Sequence, residues 1–212
     1  SIFDRSGGLN FPTPDISHKV LNKIEFKRVC ESKNLMYRLL KDYMPKSVSV
    51  KGNDDLIKKL ALFNSHSLVV LKPSNGLGGK NIIINHPDVI KKTAIKEYFE
   101  YTLQEFVDTS HGISGVTNDR HDLRVVIIGG KIIFSHLRTP RKGSYLANVS
   151  QGGLICEIPL GNIPSFVIET VKKIQSIIDQ QFNYPIYSID FGVVGKKPYV
   201  FELNDRIGFP AD

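Results

Sequence analysis

The stretch IYSIDFGVVGKKPYVFELN, residues 186–204, decides the fold, because it sets carboxylates into two otherwise apolar segments. The segments IYSIDFGVV and PYVFELN flank the turn residues GKKP and predict a β-hairpin. Side chains two residues apart on a strand share a face, so Glu202 and Asn204 are predicted on one face and Phe201 and Leu203 on the other. An acid and an amide on one face of an apolar strand are candidate oxygen ligands.

Asp190, near the middle of the first strand, completes a candidate metal site. Such a carboxylate would be costly to bury without a partner. If the two strands pair across the turn, Asp190, Glu202 and Asn204 converge on one side of the hairpin. Three oxygen-bearing side chains without imidazole or thiolate suit Mg²⁺, which typically binds nucleotide phosphates as well. The alternative is that Asp190 and Glu202 form salt bridges with Arg124 or Arg138.

A second motif, VVLKPSNGLGGKN at residues 69–81, is a candidate phosphate-binding segment. Its glycines let backbone N–H groups approach a phosphate without a Cβ atom in the way, and Lys72 or Lys80 would add positive charge. The motif lacks the lysine-then-hydroxyl ending of a Walker loop and leads into a strand, which excludes that class of nucleotide-binding protein. A plain glycine-rich hairpin is the alternative.

The segment DLRVVIIGGKIIFSHLR, residues 122–138, predicts a second hairpin around its glycine pair. Arg124 and Arg138 are cations on half-buried strands, and each needs an anion from the protein or from a ligand. Asn148 lies just before another glycine pair, in a loop where the backbone can approach a ligand closely. These positions are therefore further candidates for a binding site.

The composition restricts the classes of partner. The net charge is +7, but the lysines and arginines are scattered rather than clustered, which favours small anionic ligands over nucleic acid. No apolar run approaches the roughly 20 residues that span a bilayer, so a membrane protein is excluded. The first residues lack the features of a signal peptide. Cys30 and Cys156 show no metal-ligand spacing, which predicts two reduced thiols in a cytoplasmic protein.

Hydrophobic periodicity predicts an α/β, or α+β, chain without internal repeats. Residues 1–30 are expected to be an extended lead-in, residues 31–105 a small lobe with the glycine-rich loop, and residues 106–212 a larger lobe with the metal site. The most regular helix is predicted within residues 163–182, which carry an apolar stripe. Further helices are predicted within 31–45, with Ser32 as the N-cap, and within 53–64 and 87–100. Further strands are predicted at 67–71, 81–85, 101–107, 145–149 and 154–160.

The order of these motifs resembles the ATP-grasp superfamily, especially its glutathione synthetase-like branch, which includes the ribosomal-protein glutamate ligases. The resemblance covers about residues 30–209 and rests on ESKNLMYRLL, VVLKPSNGLGGKN, LQEFV, DLR, HLR, NVSQGG, SIDFG and FELND, in that order. It implies two α+β lobes whose antiparallel sheets clasp ATP between them. The chain departs from the family at Ile207, where proline is usual, and in the longer stretch before DLR.

The resemblance also implies roles for individual residues in nucleotide binding. Lys33 and Lys72 would contact the ATP phosphates, and the 74–80 loop would close over them. The backbone of 105–107 would hold the adenine edge, with Glu105 or Asp108 near the ribose. The implied nucleotide contacts are Lys33, Lys72, Ser74, Gly76, Gly78, Gly79, Lys80, Gln104, Glu105, Phe106, Val107, Asp108 and Asn148.

The same resemblance implies a metal-dependent reaction. Asp190, Glu202 and Asn204 would hold Mg²⁺, with Glu202 bridging two ions and Mn²⁺ as an alternative metal. Arg138 would stabilise the phosphoryl group in transfer, together with Lys72 and Arg124 as further catalytic residues.

The implied activity is that of an ATP-dependent carboxylate–amine ligase, which forms an amide or peptide bond through an acylphosphate. Its substrates would be a small-molecule or peptide carboxylate and an amine. The alternatives are a kinase that phosphorylates a hydroxyl of an anionic small molecule, as inositol phosphate kinases do, and a non-catalytic nucleotide-binding domain. Because family members usually carry a further domain upstream, a second copy of the chain or a partner is expected to replace it.

Overall fold

The computed structural model describes residues 21–75, 80–149 and 152–207, and these residues form five α-helices, two short 3-10 helices (Lys41–Tyr43 and Leu160–Asn162) and nine strands. The helices are α1 (Ile24–Glu31), α2 (Lys33–Leu40), α3 (Gly52–Leu60), α4 (Pro87–Ile90) and α5 (Ser165–Phe182). The strands are β1 (Ser47–Lys51), β2 (Val69–Pro73), β3 (Ile83–Asn85), β4 (Glu100–Glu105), β5 (Asp122–Ile128), β6 (Lys131–Thr139), β7 (Leu154–Glu157), β8 (Tyr187–Val194) and β9 (Lys197–Asn204).

The first sheet has four antiparallel strands in the order β1-β4-β2-β3. Alternating side chains of these strands, including Val50, Leu71 and Leu103, pack against Leu56 of α3 in a core of their own. Strand β1 was not predicted from the sequence. It forms because its five residues pair with β4 along their whole length.

The second sheet has five antiparallel strands in the order β7-β6-β5-β8-β9. Helix α5 covers one of its faces, and the apolar stripe predicted for this helix is confirmed: its four members are fully buried. The other face of the sheet carries the charged motifs. Within the described ranges no helix is long and apolar enough to cross a membrane.

Helices α1 and α2 pack against the larger sheet. Phe26 of α1 and Met36 and Leu40 of α2 belong to the core of that sheet. Ser32 caps α2 as predicted, since its Oγ accepts a 3.3 Å hydrogen bond from the Leu35 N–H. The lead-in predicted for residues 1–30 is wrong where α1 forms, and its residues 1–20 lie outside the described ranges. The lobe limits at 31–105 and 106–212 stay predictions.

Two further elements differ from the prediction. The helix predicted at 87–100 ends at Ile90, because the chain turns after it. The turn lets the Ile95 N–H donate to Asn53 Oδ1 at 3.1 Å and brings the Ile95 side chain into the core of the small sheet. Residues 145–149 form no strand. Instead, the Gly153 N–H closes a turn onto the Asn148 carbonyl at 3.1 Å.

A bulge in the β8–β9 hairpin reverses part of the predicted alternation. Asp190 pairs with Glu202, but the next residue of β8 pairs with Val200, so Phe201 is the extra residue of β9. Val200 and Leu203 therefore both enter the core, whereas Phe201 faces the same cavity as Glu202. The prediction that Phe201 and Leu203 share a face is wrong for this reason.

Candidate functional site

A cavity between the two sheets collects most of the predicted site residues. Lys72 of β2 lines it from the small sheet, together with residues 104–107 at the end of β4, which we call the hinge. Arg138 of β6 and the β8–β9 hairpin line it from the larger sheet. The cavity is therefore built from strand ends of both lobes, with charged groups at its floor.

Two buried lysines supply positive charge at one end of the cavity. Lys33, at the start of α2, and Lys72 are each only 7% exposed. Burial, and after it the neighbouring Lys33 charge, lowers the pKa of Lys72 to about 8. Lys33 lies 3.6 Å from the Glu202 carboxylate. Two cations held together in a buried position favour a multiply charged anion as ligand.

A chain of hydrogen bonds orients the partner of Lys72. The lysine donates to Gln104 Oε1 at 2.9 Å. Gln104 Nε2 donates to Ser47 Oγ at 2.8 Å, and Ser47 Oγ donates to the Pro45 carbonyl at 2.9 Å. Because a carbonyl can only accept, the Ser47 hydroxyl accepts from the Gln104 amide, which turns the amide oxygen towards the lysine. Ser47, the first residue of β1, and Pro45 just before it thus orient the Gln104 amide that holds the Lys72 ammonium group in place.

Asp190 is the centre of a buried ion-pair network. Arg124 donates to it through Nε at 2.6 Å and Nη2 at 2.7 Å, and Arg138 donates through Nη2. Asn204 Nδ2 lies 3.3 Å from the same carboxylate. Burial raises the pKa of Asp190, but the Arg124 and Arg138 charges outweigh burial and leave the pKa below its usual range. Of the two alternatives left open by the sequence, a salt bridge to the arginines is observed for Asp190.

Asp122 is a second acid in this network. It accepts from Arg138 Nη2, and its Oδ1 is buried without a hydrogen-bond partner among the residues that the structure describes. Burial, and after it the Asp190 charge, raises the pKa of Asp122 to about 7. Asp122 also lines the cavity. Asp122 belongs to the DLR motif but was not predicted as a site residue, although its position two residues from Arg124 places both side chains on one face of the strand.

Charged and polar residues form one row across the whole larger sheet. Strand register pairs Glu157 with His136, His136 with Arg124, Arg124 with Asp190, and Asp190 with Glu202. Burial, and after it the Arg124 and Arg138 charges, lowers the pKa of His136 to about 4. The row therefore presents a neutral imidazole beside two guanidinium groups.

The residues predicted to hold a metal come together, and their chemistry fits a cation. Glu202 lies directly opposite Asp190, and Asn204 contacts Asp190. Burial raises the pKa of Glu202, Lys33 opposes that rise, and the Asp190 charge adds to it. Glu202 is thus a half-buried acid whose charge is incompletely compensated. Within the described ranges, no cluster of three or more His, Cys, Asp or Glu residues has metal-binding geometry.

The hinge side of the cavity is formed by 104–107 and by an aromatic cluster that was not predicted from the sequence. The Phe106 and Tyr145 rings meet edge to face at 5.1 Å. Arg120 lies over Tyr145, with 4.8 Å between Cζ and the ring centroid. Arg120 also pairs with Asp108 at 3.0 Å. No sequence signal joins these residues, because they come from three separate segments.

The remaining predicted residues divide into three groups. Lys80 and Asn148 line the cavity. Among the described residues, four others lie beside the cavity rather than in its lining: Ser74, Asp108, Arg124 and Asn204. The three glycines Gly76, Gly78 and Gly79 lie outside the described residues. Phe201, which was not predicted, lines the cavity because of the bulge.

Comparisons with known proteins agree with this geometry. Residues 33–180 match the model of the prokaryotic glutathione synthetase ATP-grasp domain. N-acetylaspartylglutamate synthase A from Homo sapiens is 28% identical over 174 residues, 79% of this chain and 40% of that protein. Beta-citrylglutamate synthase B from Danio rerio is 31% identical over 173 residues, 79% of this chain and 39% of that protein. The chain thus spans about two fifths of the length of these relatives.

Solved structures show the same fold. Phosphoribosylamine–glycine ligase from Thermotoga maritima superposes with a TM-score of 0.66 at 18% identity, over 89% of this chain and 51% of that chain. D-alanine–D-alanine ligase from Bacillus anthracis gives a TM-score of 0.62 at 16% identity, over 90% of this chain and 63% of that chain. The predicted fold class, two α+β lobes with antiparallel sheets, is confirmed.

Proposed function

Because this chain belongs to the family of prokaryotic glutathione synthetase ATP-grasp domains, we propose that it binds ATP and joins a carboxylate to an amine. The observation that carries the proposal is the cavity where Lys33 and Lys72 face Glu202 and the ion-pair network of Asp190. Cations suited to phosphates and carboxylates suited to a metal thus line one cavity. Phosphoryl transfer requires this combination.

In this proposal the two lysines bind the ATP phosphates and the hinge binds the base. Lys33 and Lys72 are buried cations that an anion would stabilise. Residues 104–107 also line the cavity, and Phe106 and Tyr145 beside Lys72's partner Gln104 add apolar surface for a purine ring. The backbone groups of 105–107 and the side chain of Glu105 or Asp108 are proposed to contact adenine and ribose.

Asp190, Glu202 and Asn204 are the proposed ligands of Mg²⁺, with two ions bridged by Glu202 and with Mn²⁺ as an alternative. A divalent ion held by these residues would supply positive charge that neutralises the charge developing on the phosphates. Within the described ranges, the Glu202 carboxylate forms one ion pair, a 3.6 Å contact with Lys33. Asp190 would have to give up part of its bonding to Arg124 or Arg138 to bind the ion. An arginine released in this way is available for the transferred phosphoryl group.

The proposed reaction has two steps. A substrate carboxylate oxygen attacks the γ-phosphorus of ATP, ADP leaves, and an acylphosphate forms. An amine then attacks the acyl carbon, phosphate leaves with the bonding pair of the C–O bond, and the amine proton is released, which gives an amide. Arg138 and Arg124 lie beside the metal ligands and would stabilise the transferred group, so that the protein contributes positioning and charge.

The first experiment measures thermal unfolding of the chain with ATP alone, Mg²⁺ alone and both together. A ligand present at 100 times its dissociation constant stabilises the folded state by about 2.7 kcal/mol. We expect a shift with ATP that grows when Mg²⁺ is added. The absence of any shift with ATP would reject nucleotide binding by this chain.

A second experiment tests the reaction type. Incubation with ATP, Mg²⁺ and a panel of carboxylic acids in the presence of hydroxylamine should give a hydroxamate and ADP, because hydroxylamine traps an acylphosphate. A phosphorylated hydroxyl product would favour the kinase alternative instead. ATP binding without ADP formation for any acceptor would favour a non-catalytic domain.

A further inference from the structure

Helix α2 joins the two lobes through contacts that the proposed reaction does not use directly. Its apolar residues Met36 and Leu40 pack in the core of the larger sheet. Its first turn is bonded to the small sheet, where the Lys33 N–H donates to the Ser74 carbonyl at 3.0 Å. The preceding residue, Ser32, forms an isolated β-bridge with Asn75. The position of α2 therefore depends on both lobes.

The side chains of Asn34, Ser74 and Thr102 close a ring of hydrogen bonds at this junction. Asn34 Nδ2 donates to Ser74 Oγ at 3.0 Å, and Thr102 Oγ1 donates to Asn34 Oδ1 at 3.2 Å. The two hydroxyl oxygens lie 3.1 Å apart. Since the Thr102 hydrogen goes to the amide oxygen, the Ser74 hydrogen goes to Thr102. Each of the three groups donates once and accepts once within the ring.

Two members of the ring are buried and Asn34 is half-buried, which makes the bonds of the ring consequential. Ser74 is 0% exposed and Thr102 is 1% exposed. A buried hydroxyl that loses its partner bears the cost of desolvation without compensation, and linked bonds strengthen one another. Removal of one member would therefore weaken the whole ring, and with it the attachment of α2 to β4 and to Ser74, the residue that follows β2.

The ring lies between the backbone positions of the two buried lysines. Asn34 follows Lys33 on α2, and Ser74 lies two residues after Lys72 on β2. Thr102 is the β4 residue directly opposite Lys72 in the strand register. Lys33 is thus adjacent to one member of the ring, Asn34. Lys72 is linked to the other two, to Ser74 through the backbone and to Thr102 through strand pairing.

We propose that Asn34 is a positioning residue, which fixes Lys33 of α2 relative to Lys72 of β2 so that the two ammonium groups bind one polyphosphate. This inference rests on the proposed function in so far as the polyphosphate is that of ATP. Asn34 acts through the lysines and touches no reacting atom. Asparagine is required because the ring needs both an amide donor and an amide acceptor on one side chain. Aspartate would lack the donor and would add a negative charge near Glu100. The pKa of Glu100 is lowered first by a hydrogen bond from Ser49 and also by one from Asn34.

The test compares Asn34→Ala and Thr102→Val with Thr102→Ser, which keeps the ring hydroxyl. Binding of ATP, inorganic tripolyphosphate and adenosine is measured by calorimetry. Amide hydrogen exchange at Lys33, whose N–H donates to Ser74, reports the junction itself without any ligand. Asn162→Ala, at an exposed asparagine of the larger lobe, serves as a control for the loss of an amide.

We expect about tenfold weaker binding of ATP and tripolyphosphate for Asn34→Ala and Thr102→Val, the loss that about 1.4 kcal/mol corresponds to. Adenosine binding should be unchanged, exchange at Lys33 should be faster, and Thr102→Ser should behave like the unmodified protein. In a Lys33→Ala background, Asn34→Ala should add little further loss, because it acts through that lysine.

Three results would overturn the inference: unchanged tripolyphosphate affinity in Asn34→Ala, an equal loss of adenosine and tripolyphosphate binding, or unaltered exchange at Lys33. The proposed function fails differently. If the unmodified chain binds tripolyphosphate but not ATP, the ATP assignment falls, whereas the effect of Asn34→Ala on tripolyphosphate still decides the role of Asn34.

Discussion

A methyl group at Gly192 would lie 2.0 Å from Cζ of Phe201, so glycine on β8 allows the Phe201 ring to lie across the strand. The ring reaches this position because the bulge turns Phe201 towards the cavity. Gly192→Ala should therefore push the ring into the cavity. We expect a loss of stability of about 1–3 kcal/mol, as for other overpacked sites, and weaker ATP binding. Urea denaturation and calorimetry measure the two effects.

The matched control is Gly161→Ala, where a Cβ atom meets nothing within 4 Å. This variant should change stability by less than about 0.5 kcal/mol. Phe201→Leu in the Gly192→Ala background should recover part of the lost stability, because the smaller side chain vacates the space. Equal stability of Gly192→Ala and the unmodified protein would contradict the assigned contact.

The two proposed metal-binding acids should respond differently to neutralisation. Asp190 compensates two buried arginines, so Asp190→Asn leaves guanidinium charge uncompensated and should cost about 3–5 kcal/mol. Glu202 has only a 3.6 Å contact with Lys33. Glu202→Gln should change stability by less than about 1 kcal/mol but remove the extra stabilisation that Mg²⁺ gives to the ATP complex. Thermal unfolding with ATP, with and without Mg²⁺, measures both quantities.

Glu202→Gln is therefore the sharper test of the metal site, since its fold should remain intact. If Mg²⁺ still adds the same stabilisation to the ATP complex of Glu202→Gln, the metal assignment is wrong. If Asp190→Asn unfolds at the same urea concentration as the unmodified protein, the ion-pair network contributes little to stability.

Sequence reasoning predicted the hairpins, the α5 stripe and three residues of the charged row, Arg124, Asp190 and Glu202, because each depends on local periodicity. It could not predict which anion each arginine binds, since Arg124 and Asp190 lie 66 residues apart and both a metal and a salt bridge were compatible with their chemistry. The bulge at Phe201 was equally inaccessible. A strand pattern with period two contains no signal for one extra residue, and only the pairing with β8 reveals it.

The position of α2 illustrates the same limit at the level of packing. The cap at Ser32 is a local signal and was predicted. The sequence does not show that Met36 and Leu40 pack in the larger core while Asn34 bonds to β2 and β4, because each contact joins distant segments. The junction between the lobes depends on tertiary contacts, so the ring of three polar side chains is seen only in the structure.

The cluster around Tyr145 should contribute to nucleotide binding through its ring rather than its hydroxyl group. Tyr145 packs edge to face on Phe106 and lies under Arg120. Such aromatic and cation–π contacts are worth about 0.5–1.5 kcal/mol. Tyr145→Ala should therefore weaken ATP binding by about threefold to tenfold, whereas Tyr145→Phe should bind ATP normally. Calorimetry at constant pH and salt checks both, and equal losses in the two variants would show that the hydroxyl group matters instead.

Nucleotide binding should depend on pH through Lys72. Its pKa is lowered from 10.5 to about 8, first by burial and then by Lys33, so its charge is lost in the free protein as the pH rises through 8. A bound phosphate would favour the charged form, so ATP affinity should fall above pH 8 by up to about tenfold per pH unit. Lys72→Arg, which keeps its charge throughout this range, should show a nearly flat profile of ATP affinity against pH.

The pH dependence of folding has the opposite sign. Between about pH 8 and 10.5 the unfolded chain binds more protons at Lys72 than the folded chain does, so the Lys72 contribution to the free energy of unfolding rises with pH. Affinity measured by calorimetry from pH 7 to 9.5 should therefore fall while this contribution to stability does not, and a flat affinity profile for the unmodified protein would remove Lys72 from the phosphate site.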